Sequence, residues 1–302
     1  MPRLSDGASA TAARALPDTQ RGEGGSRRGL EWLAQLPRLQ LVELEDLAWW
    51  PSEVRDLATD ALHYLQTWLG LHRAVVPLLS DVLRRTGSRR IVDLCSGAGG
   101  LVPVLISELQ QAGLQVEAVL TDRYPNLGGF ERAAKATGGA ITFEREAVDA
   151  REVPPHLSGV RTLFNGFHHF PPDVAAGVLR AAREAEQPIA IFEFPDRRVS
   201  AVARMVAVPL LVWLTTPFIR PFRWRRLLWT YLIPLVPLTC FWDGVVSQLR
   251  AYRPAELEAL AARVSPGFCW QVGRMPVGRV PGSLTYMIGV PKNGASPPGR
   301  DP

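Results

Sequence analysis

The spacing of apolar residues changes character near residue 90. Before that point Leu57, Leu62, Leu65, Trp68 and Leu69 recur at intervals that bring them along one face of a helix. Residues 30–90 are therefore expected to be helical, with Ser52 after Pro51 capping a helix that begins near Glu53. Beyond residue 90, short apolar runs alternate with helical periods. Runs at 90–94, 116–121, 141–144, 161–165 and 188–194 predict five strands, and 101–111, 130–137 and 172–185 predict the helices between them. Such alternation indicates a doubly wound parallel sheet. After a further helix at 255–264, the runs 268–272 and 284–290 are placed to pair as closing antiparallel strands. The expected fold is thus α/β, with a mostly parallel seven-stranded Rossmann-like sheet and an N-terminal helical cap over 29–89.

Residues 197–250 interrupt this alternation as an apolar insertion inside a domain spanning 90–292. Residues 205–219 form a run of 15 without a charge, and 227–242 a run of 16. At 1.5 Å per residue each reaches about 22–24 Å, short of a ~30 Å hydrocarbon core. Pro209, Pro217, Pro234 and Pro237 break or kink them further. Domain sequence on both sides argues against a spanning hairpin, which would also carry Arg220, Arg223, Arg225 and Arg226 to the far side. Three covers are open to residues 205–242: an anionic membrane surface, a second copy of the chain in a homodimer, or an apolar substrate in the protein's own cleft.

Composition narrows the picture modestly. The chain has 302 residues, 47% hydrophobic and 21% charged, in keeping with an ordinary globular domain. The net charge of +5 comes almost wholly from arginine spread along the sequence, so no nucleic-acid partner is inferred. Cys95, Cys240 and Cys269 form no CxxC pair and no disulfide framework, and no metal ligand set is read. Residues 1–28 lack an apolar signal core and are expected to be a disordered leader, as is the Pro/Gly-rich tail 293–302. A cytoplasmic protein is expected, with membrane association one of the covers open to its insertion.

The chemistry is concentrated where the first strand ends, in Val92-Asp93-Leu94-Cys95-Ser96-Gly97-Ala98-Gly99-Gly100. Glycines let the backbone turn sharply and approach a ligand, and the next helix presents free N–H groups. A carboxylate at the mouth, Asp93, repels phosphate but suits a cationic sulfonium ligand with an amino-acid tail. Asp122, ending the second strand in Leu120-Thr121-Asp122-Arg123, stands where nucleotide-binding α/β folds hold ribose hydroxyls. Asp149, after the third strand, could accept from an adenine amine.

These segments resemble the motifs of class I S-adenosylmethionine-dependent methyltransferases over roughly 90–196 and again over 252–291: VDLCSGAGG the first motif, TDRYPN the second and AVDA the third. The closing strand pair is similar to that family's as well. The resemblance implies S-adenosyl-L-methionine as cofactor. Asp93, Gly97 and Gly99 would hold its methionine part, Asp122 the ribose and Asp149 the adenine, with Cys95, Ser96, Arg123 and Asn165 in the same cofactor-binding set.

Strand four runs into Asn165-Gly166-Phe167-His168-His169-Phe170, beyond the carboxyl end of the sheet where such folds bind ligands. His168 or His169 is the expected catalytic base or substrate-orienting group, with one of the two facing inward. Glu193, ending strand five, faces the substrate side or a buried partner. The expected activity is methyl transfer to a small, apolar acceptor. The alternatives are an NAD(P)-binding oxidoreductase, since glycine loops are shared, or a non-catalytic membrane-associated protein on a methyltransferase scaffold.

Overall fold

The computed structural model describes residues 36–277 and 281–292; the expected leader 1–28, residues 29–35 and the tail 293–302 lie outside them. Chain order is α1 (Ser52–Trp68), α2 (Val75–Thr86), β1 (Arg90–Asp93), α3 (Val102–Gln111), β2 (Glu117–Leu120), α4 (Leu127–Ala136), β3 (Ile141–Phe143), β4 (Val160–Phe164), α5 (Pro172–Glu184) and β5 (Ile189–Glu193). The insertion supplies α6 (Val199–Arg204), α7 (Val208–Thr215), α8 (Trp224–Leu227) and α9 (Leu235–Arg250). Helix α10 (Pro254–Val264) and strands β6 (Phe268–Pro276) and β7 (Ser283–Pro291) close the fold.

The seven strands form one sheet in the order β3-β2-β1-β4-β5-β7-β6. The first five pair in parallel, while β7 runs antiparallel to both β5 and β6. The sheet is mixed, with the antiparallel pair expected from the sequence. Its central strands are buried on both faces because helices cover both. Ile91 packs with α2, α3 and Phe130 of α4 on one side, and its neighbour Val92 packs with α5 and α10 on the other.

A separate cluster joins α1 to the insertion: Val54, Leu57, Ala58, Ala61 and Leu65 meet Val212, Ile219, Val236 and Cys240. The helix thus buries the i, i+3, i+4, i+7 stripe of an amphipathic segment. The opposite face of α1 turns to the sheet. Asp56 accepts from Asn126 at 3.3 Å, Gln66 from Asn165 at 3.5 Å, and the His63 ring lies beside Gly100. Helix α1 thus stands beside the glycine loop.

Three expectations about the cap are corrected. Residues 36–51 are not helical apart from a 3-10 turn at Leu44–Asp46. Their donors go to α9 instead: Leu39 N–H to Leu249 O at 3.0 Å, and Leu44 and Glu45 N–H to Asp243 at 2.6 and 3.2 Å. Ser52 is the first helical residue, and Pro51 before it makes no side-chain cap. Trp68, placed on the packed face by its spacing, is exposed. Helix α4 also begins three residues earlier than expected, because Asn126 accepts from Gly129 N–H at 2.9 Å and caps it.

Inside the helical layer Arg226 is one of the largest fully buried side chains. It donates to Asp60 at 2.8 Å and to the Ile219 and Pro221 carbonyls at 3.1 and 3.0 Å. Removing one partner of such a pair strands the other near apolar surface. Arg226→Met is expected to lower stability by about 1–3 kcal/mol, and Asp60→Asn added to it to recover part of that loss. Denaturant unfolding of the two single variants and the double variant measures the coupling; additive losses would remove the pair from the account.

Candidate functional site

The glycine loop is organised around Asp93. Its carboxylate is 2% exposed and accepts from Thr162 Oγ1 and Ser96 Oγ, each at 2.7 Å. Thr121 Oγ1 donates to the Asp93 carbonyl at 2.8 Å, and Ser96 N–H donates to Thr121 O at 3.0 Å. Three adjacent strand ends, β1, β2 and β4, are thereby tied through one acid and three hydroxyls. Burial pushes the Asp93 carboxyl up to about 7 against the lowering effect of the Ser96 and Thr162 hydrogen bonds. The expectation of an open carboxylate meets a sealed one. Asp93 shapes the loop and does not face out of it.

That loop is turned by positive φ at Cys95 (58°), Gly97 (56°), Gly99 (98°) and Gly100 (47°). Gly97 and Gly99 differ in need. A side chain at Gly97 would meet open space, whereas one at Gly99 would press on Ala133 Cβ at 3.2 Å. Gly97 is the position where backbone faces outward, and Gly99 lets α4 close on the loop. Cys95 is half-buried, and burial raises its thiol well above the ordinary range.

Asp122 stands at the loop's other side. Its Oδ2 accepts from Gly97 N–H at 2.9 Å and its Oδ1 from Tyr124 N–H at 2.8 Å; burial raises its pKa. The structure thus brings together Asp93, Cys95, Ser96, Gly97, Gly99 and Asp122. Asp149 is occupied differently. Arg151 holds it in a bidentate pair at 2.7 and 3.0 Å, and Arg123, itself exposed, stands at 3.5 Å. The Arg151 hydrogen bonds hold its carboxyl down to about 2, so an adenine amine would have to compete with them. Asn165, at φ 53°, accepts from Phe194 N–H at 2.9 Å and reaches Gln66 of α1.

His168 and His169 occupy a 3-10 turn beyond β4. His168 turns inward and His169 stays partly exposed. His168 is 2% exposed and its Nδ1 lies 2.5 Å from Glu193 Oε2. Glu193 is thus the buried, paired acid, accepting also from Phe167 N–H at 2.8 Å. His169 is 33% exposed and lies among Glu43, Asp46 and Arg250. Burial works to lower its pKa, but the Asp46 hydrogen bond and the charges of Glu43 and Asp46 outweigh it and raise the ring to about 9. Asp46 is lowered to about 2: burial opposes this, and the His169 and Arg250 contacts overcome it.

This second cluster was not visible in the sequence. Glu43, Glu45, Asp46, Asp243 and Arg250 come from opposite ends of the chain and meet only because residues 36–50 lie along α9. A dense run of acids, Glu43 to Asp46, in an apolar stretch was the available signal. Glu45 is raised to about 8 by burial and then by Asp243 and Glu43, and Asp243 to about 6 by burial. Of the other histidines, His72 pairs with Glu108 at 2.9 Å and His156 with Glu144 at 3.3 Å. His63, beside the glycine loop, is lowered by burial to about 4 and stays neutral. A surface cavity of ≈ 690 Å³ opens between Arg89, Gln110 and Glu117, where β1 and β2 begin, and carries none of the residues above.

No protein-family model matches the chain, and no curated protein matches it. Solved structures similar to it include the mitomycin 7-O-methyltransferase MmcR, 17% identical over 67% of this chain and 49% of that one, with TM-score 0.41. Another is an O-methyltransferase from neocarzinostatin biosynthesis, solved with S-adenosylmethionine and 2-hydroxy-5-methyl naphthoic acid: 17% identity, 74% and 59% coverage, TM-score 0.41. A third is an O-methyltransferase family protein from Burkholderia thailandensis, at 16% identity, 77% and 59% coverage and TM-score 0.44. The chain spans about half to three fifths of the length of these three structures. Likeness at this level assigns neither family nor activity.

The shifted groups fix the sign of the pH response. Glu45, Asp93 and Asp243 have raised pKa values, so their stabilisation is complete below the ordinary carboxylate range. It is lost as pH rises through about 6 for Asp243, 7 for Asp93 and 8 for Glu45. His169 adds stability below its ordinary 6.5 that disappears as pH rises through about 9. Asp46 and Asp149 act only at the acid end, losing their contribution as pH falls through about 2. Urea midpoints are therefore expected to fall between about pH 5.5 and pH 8.5, and Glu45→Gln to shrink that fall. A wild type equally stable at both would contradict the burial of these acids.

Proposed function

We propose that this protein transfers a methyl group from S-adenosyl-L-methionine to a small, apolar acceptor at an anionic membrane surface. The observation that carries the reading is the loop after β1, opened toward the ligand side at Gly97 and bridged by its N–H to Asp122 at the end of β2. The residues present fit the cofactor. Gly97 offers backbone without a side chain, Asp122 is the acid for the ribose hydroxyls, and Asp93 sets the loop for the methionine end. The cofactor, when bound, supplies an electrophilic methyl on sulfonium. The protein's part is to hold the acceptor in line with it and exclude water, which in general contributes several kcal/mol.

His168 and His169 lie beyond β4, on the acceptor side of this reading. His168 is sealed against Glu193 and His169 is a cation at neutral pH, so the pair suits positioning rather than proton abstraction. Neither the paired state of Asp149 nor the exposure of Arg123 adds support for adenine contact.

The membrane part rests on the insertion's outer face. Val199–Phe218 forms one helical run of 20 residues, about 30 Å long, which takes in all of the uncharged run 205–219 except Ile219. Only 22% of its most apolar window is buried. The pair Trp224–Leu232 and Leu235–Arg250 bends by 71°. Trp213, Phe218, Phe222, Trp224, Leu232 and Trp242 are all exposed. Val212 and Val236 anchor the same helices to α1, and Arg250 anchors α9 to the 36–50 segment. These anchors favour a face lying in the headgroup layer over a span. The electrostatic share is smaller than four arginines imply. Arg226 is buried on Asp60, Arg223 leans on Asp60 at 3.7 Å and Arg225 on Glu53 at 3.2 Å. Arg220 is the one of the four without an acidic partner among the described residues.

Calorimetry tests the cofactor. S-adenosylhomocysteine is expected to bind the wild type and NADH not, and Asp122→Asn to weaken the former by about tenfold or more. Unchanged affinity in the folded variant would withdraw the assignment. The surface is tested by co-sedimentation with anionic phospholipid vesicles. The wild type is expected to pellet, and a Leu210→Ser, Phe218→Ser, Leu232→Ser variant to stay in solution with its fold intact, since each of these side chains is already more than half exposed. A wild type that remains in the supernatant ends the membrane reading.

A further inference from the structure

Beyond β4 the two histidine rings stack with centroids 4.5 Å apart, and both Nε2 atoms face one carboxylate. His168 Nε2 stands 3.7 Å from Glu43 Oε1, and His169 Nε2 stands 3.5 Å from Glu43 Oε2. One donor atom from each of the three residues lies within 4.8 Å of the other two. Ligands about 2.0–2.1 Å from a tetrahedral zinc ion are ~3.4 Å from one another. The cluster is close to that spacing.

A second observation points the same way. His168 is 2% exposed, and its Nε2 is buried without a hydrogen-bond partner. The other ring nitrogen is committed to Glu193 at 2.5 Å. A carboxylate there keeps the proton on Nδ1 and leaves a lone pair on Nε2. A bare lone pair facing a buried carboxylate is costly; a cation between them satisfies both. His169 Nδ1 lies 3.1 Å from Arg250 Nη1 and 3.5 Å from Asp46 Oδ1, which leaves its Nε2 as the atom facing Glu43.

Charge also leaves room. Glu43, Asp46, Glu193 and Asp243 converge here against the guanidinium of Arg250, which lies 2.9 Å from Asp46 and 3.3 Å from Glu43, and the His169 ring, whose proton a bound metal displaces. Two imidazoles and a carboxylate are the donors preferred by zinc, cobalt and their neighbours, not the all-oxygen sets of calcium or magnesium.

We infer that Glu43, His168 and His169 form a binding site for a divalent transition-metal ion of the zinc class. The ion clasps the segment before α1 to the carboxyl end of β4. Three protein ligands, one of them partly exposed, leave a fourth position toward solvent. The same histidines stand on the acceptor side of the methyl-transfer reading, but zinc binding is read without cofactor or turnover, so failure of the one is distinguishable from failure of the other.

The test uses the full chain after chelator dialysis. Calorimetric titration with zinc chloride is expected to give one site per chain. Cobalt(II) is expected to give a visible ligand-field spectrum, and zinc-edge absorption spectroscopy two imidazole nitrogens. Glu43→Gln and His169→Ala should each weaken zinc by more than about tenfold, whereas His156→Ala, on the exposed Glu144 pair, should leave it unchanged. Absence of saturable zinc binding by the wild type would mean that the cluster is an ion-pair network, and the proposal falls. It falls equally if the His156 variant loses the metal, or if the absorption spectrum contains no histidine shell. Should either ligand variant fail to fold, the wild-type spectra still decide.

Discussion

The carboxylate of Asp93 is the constraint on which the glycine-loop end of this protein depends. It ends β1 inside the sheet, and burial alone would make it an expensive anion. The hydroxyls of Thr162 and Ser96 supply its hydrogen bonds, and in doing so they fix β4 and the glycine loop against β1. Thr121 adds β2 through the Asp93 main chain. The turn that follows can then hold strained backbone, including positive φ at Cys95, because its base cannot shift. The acid most suggestive of ligand contact is thus chiefly a keystone, and the contact surface falls to Gly97 and Asp122.

A second set of constraints ties the chain's ends together. The segment before α1 has no regular structure of its own. It borrows hydrogen-bond partners from α9, from Arg250 and from Asp243, and it delivers Glu43 and Asp46 to the histidines beyond β4. Arg38 shows the same economy: its guanidinium donates to the carbonyls of Arg250, His168 and Phe170 and lies over the Tyr252 ring. Residues more than a hundred positions apart are held to a common geometry without any covalent link.

What the sequence revealed follows from the range of each interaction. Strands β1 to β5 and their helices were legible because a buried parallel sheet writes its pattern locally, in runs such as Ile91-Val92 and Ile189-Ala190-Ile191. The antiparallel closure by β7 was legible for the same reason. The segment 36–50 was misread as helix because its apolar residues are satisfied by tertiary partners no local pattern reports. Asp93 and Asp122 could be picked out by position, but which of them stays open depended on where Thr162 and Ser96 point. Glu193 was picked out by its place at the end of strand five, but Glu43 and Asp46 were not, since Glu43 lies 125 positions upstream of His168. The insertion's apolar character was plain, whereas the neutralisation of its arginines by Glu53 and Asp60 required the packed structure.

Helix α1 occupies an unusual station. One stripe of it, Val54 to Leu65, is embedded in the insertion, and the other presents Asp56 to Asn126, His63 to the glycine loop and Gln66 to Asn165. Any displacement of the helix is therefore registered at both ends. Linkage sets the condition for any coupling between them: an effect that filling the loop had on the insertion's outer face would return, at the same size, as an effect of covering that face on the loop. Helix α1 touches both, so a change in its position is the common term.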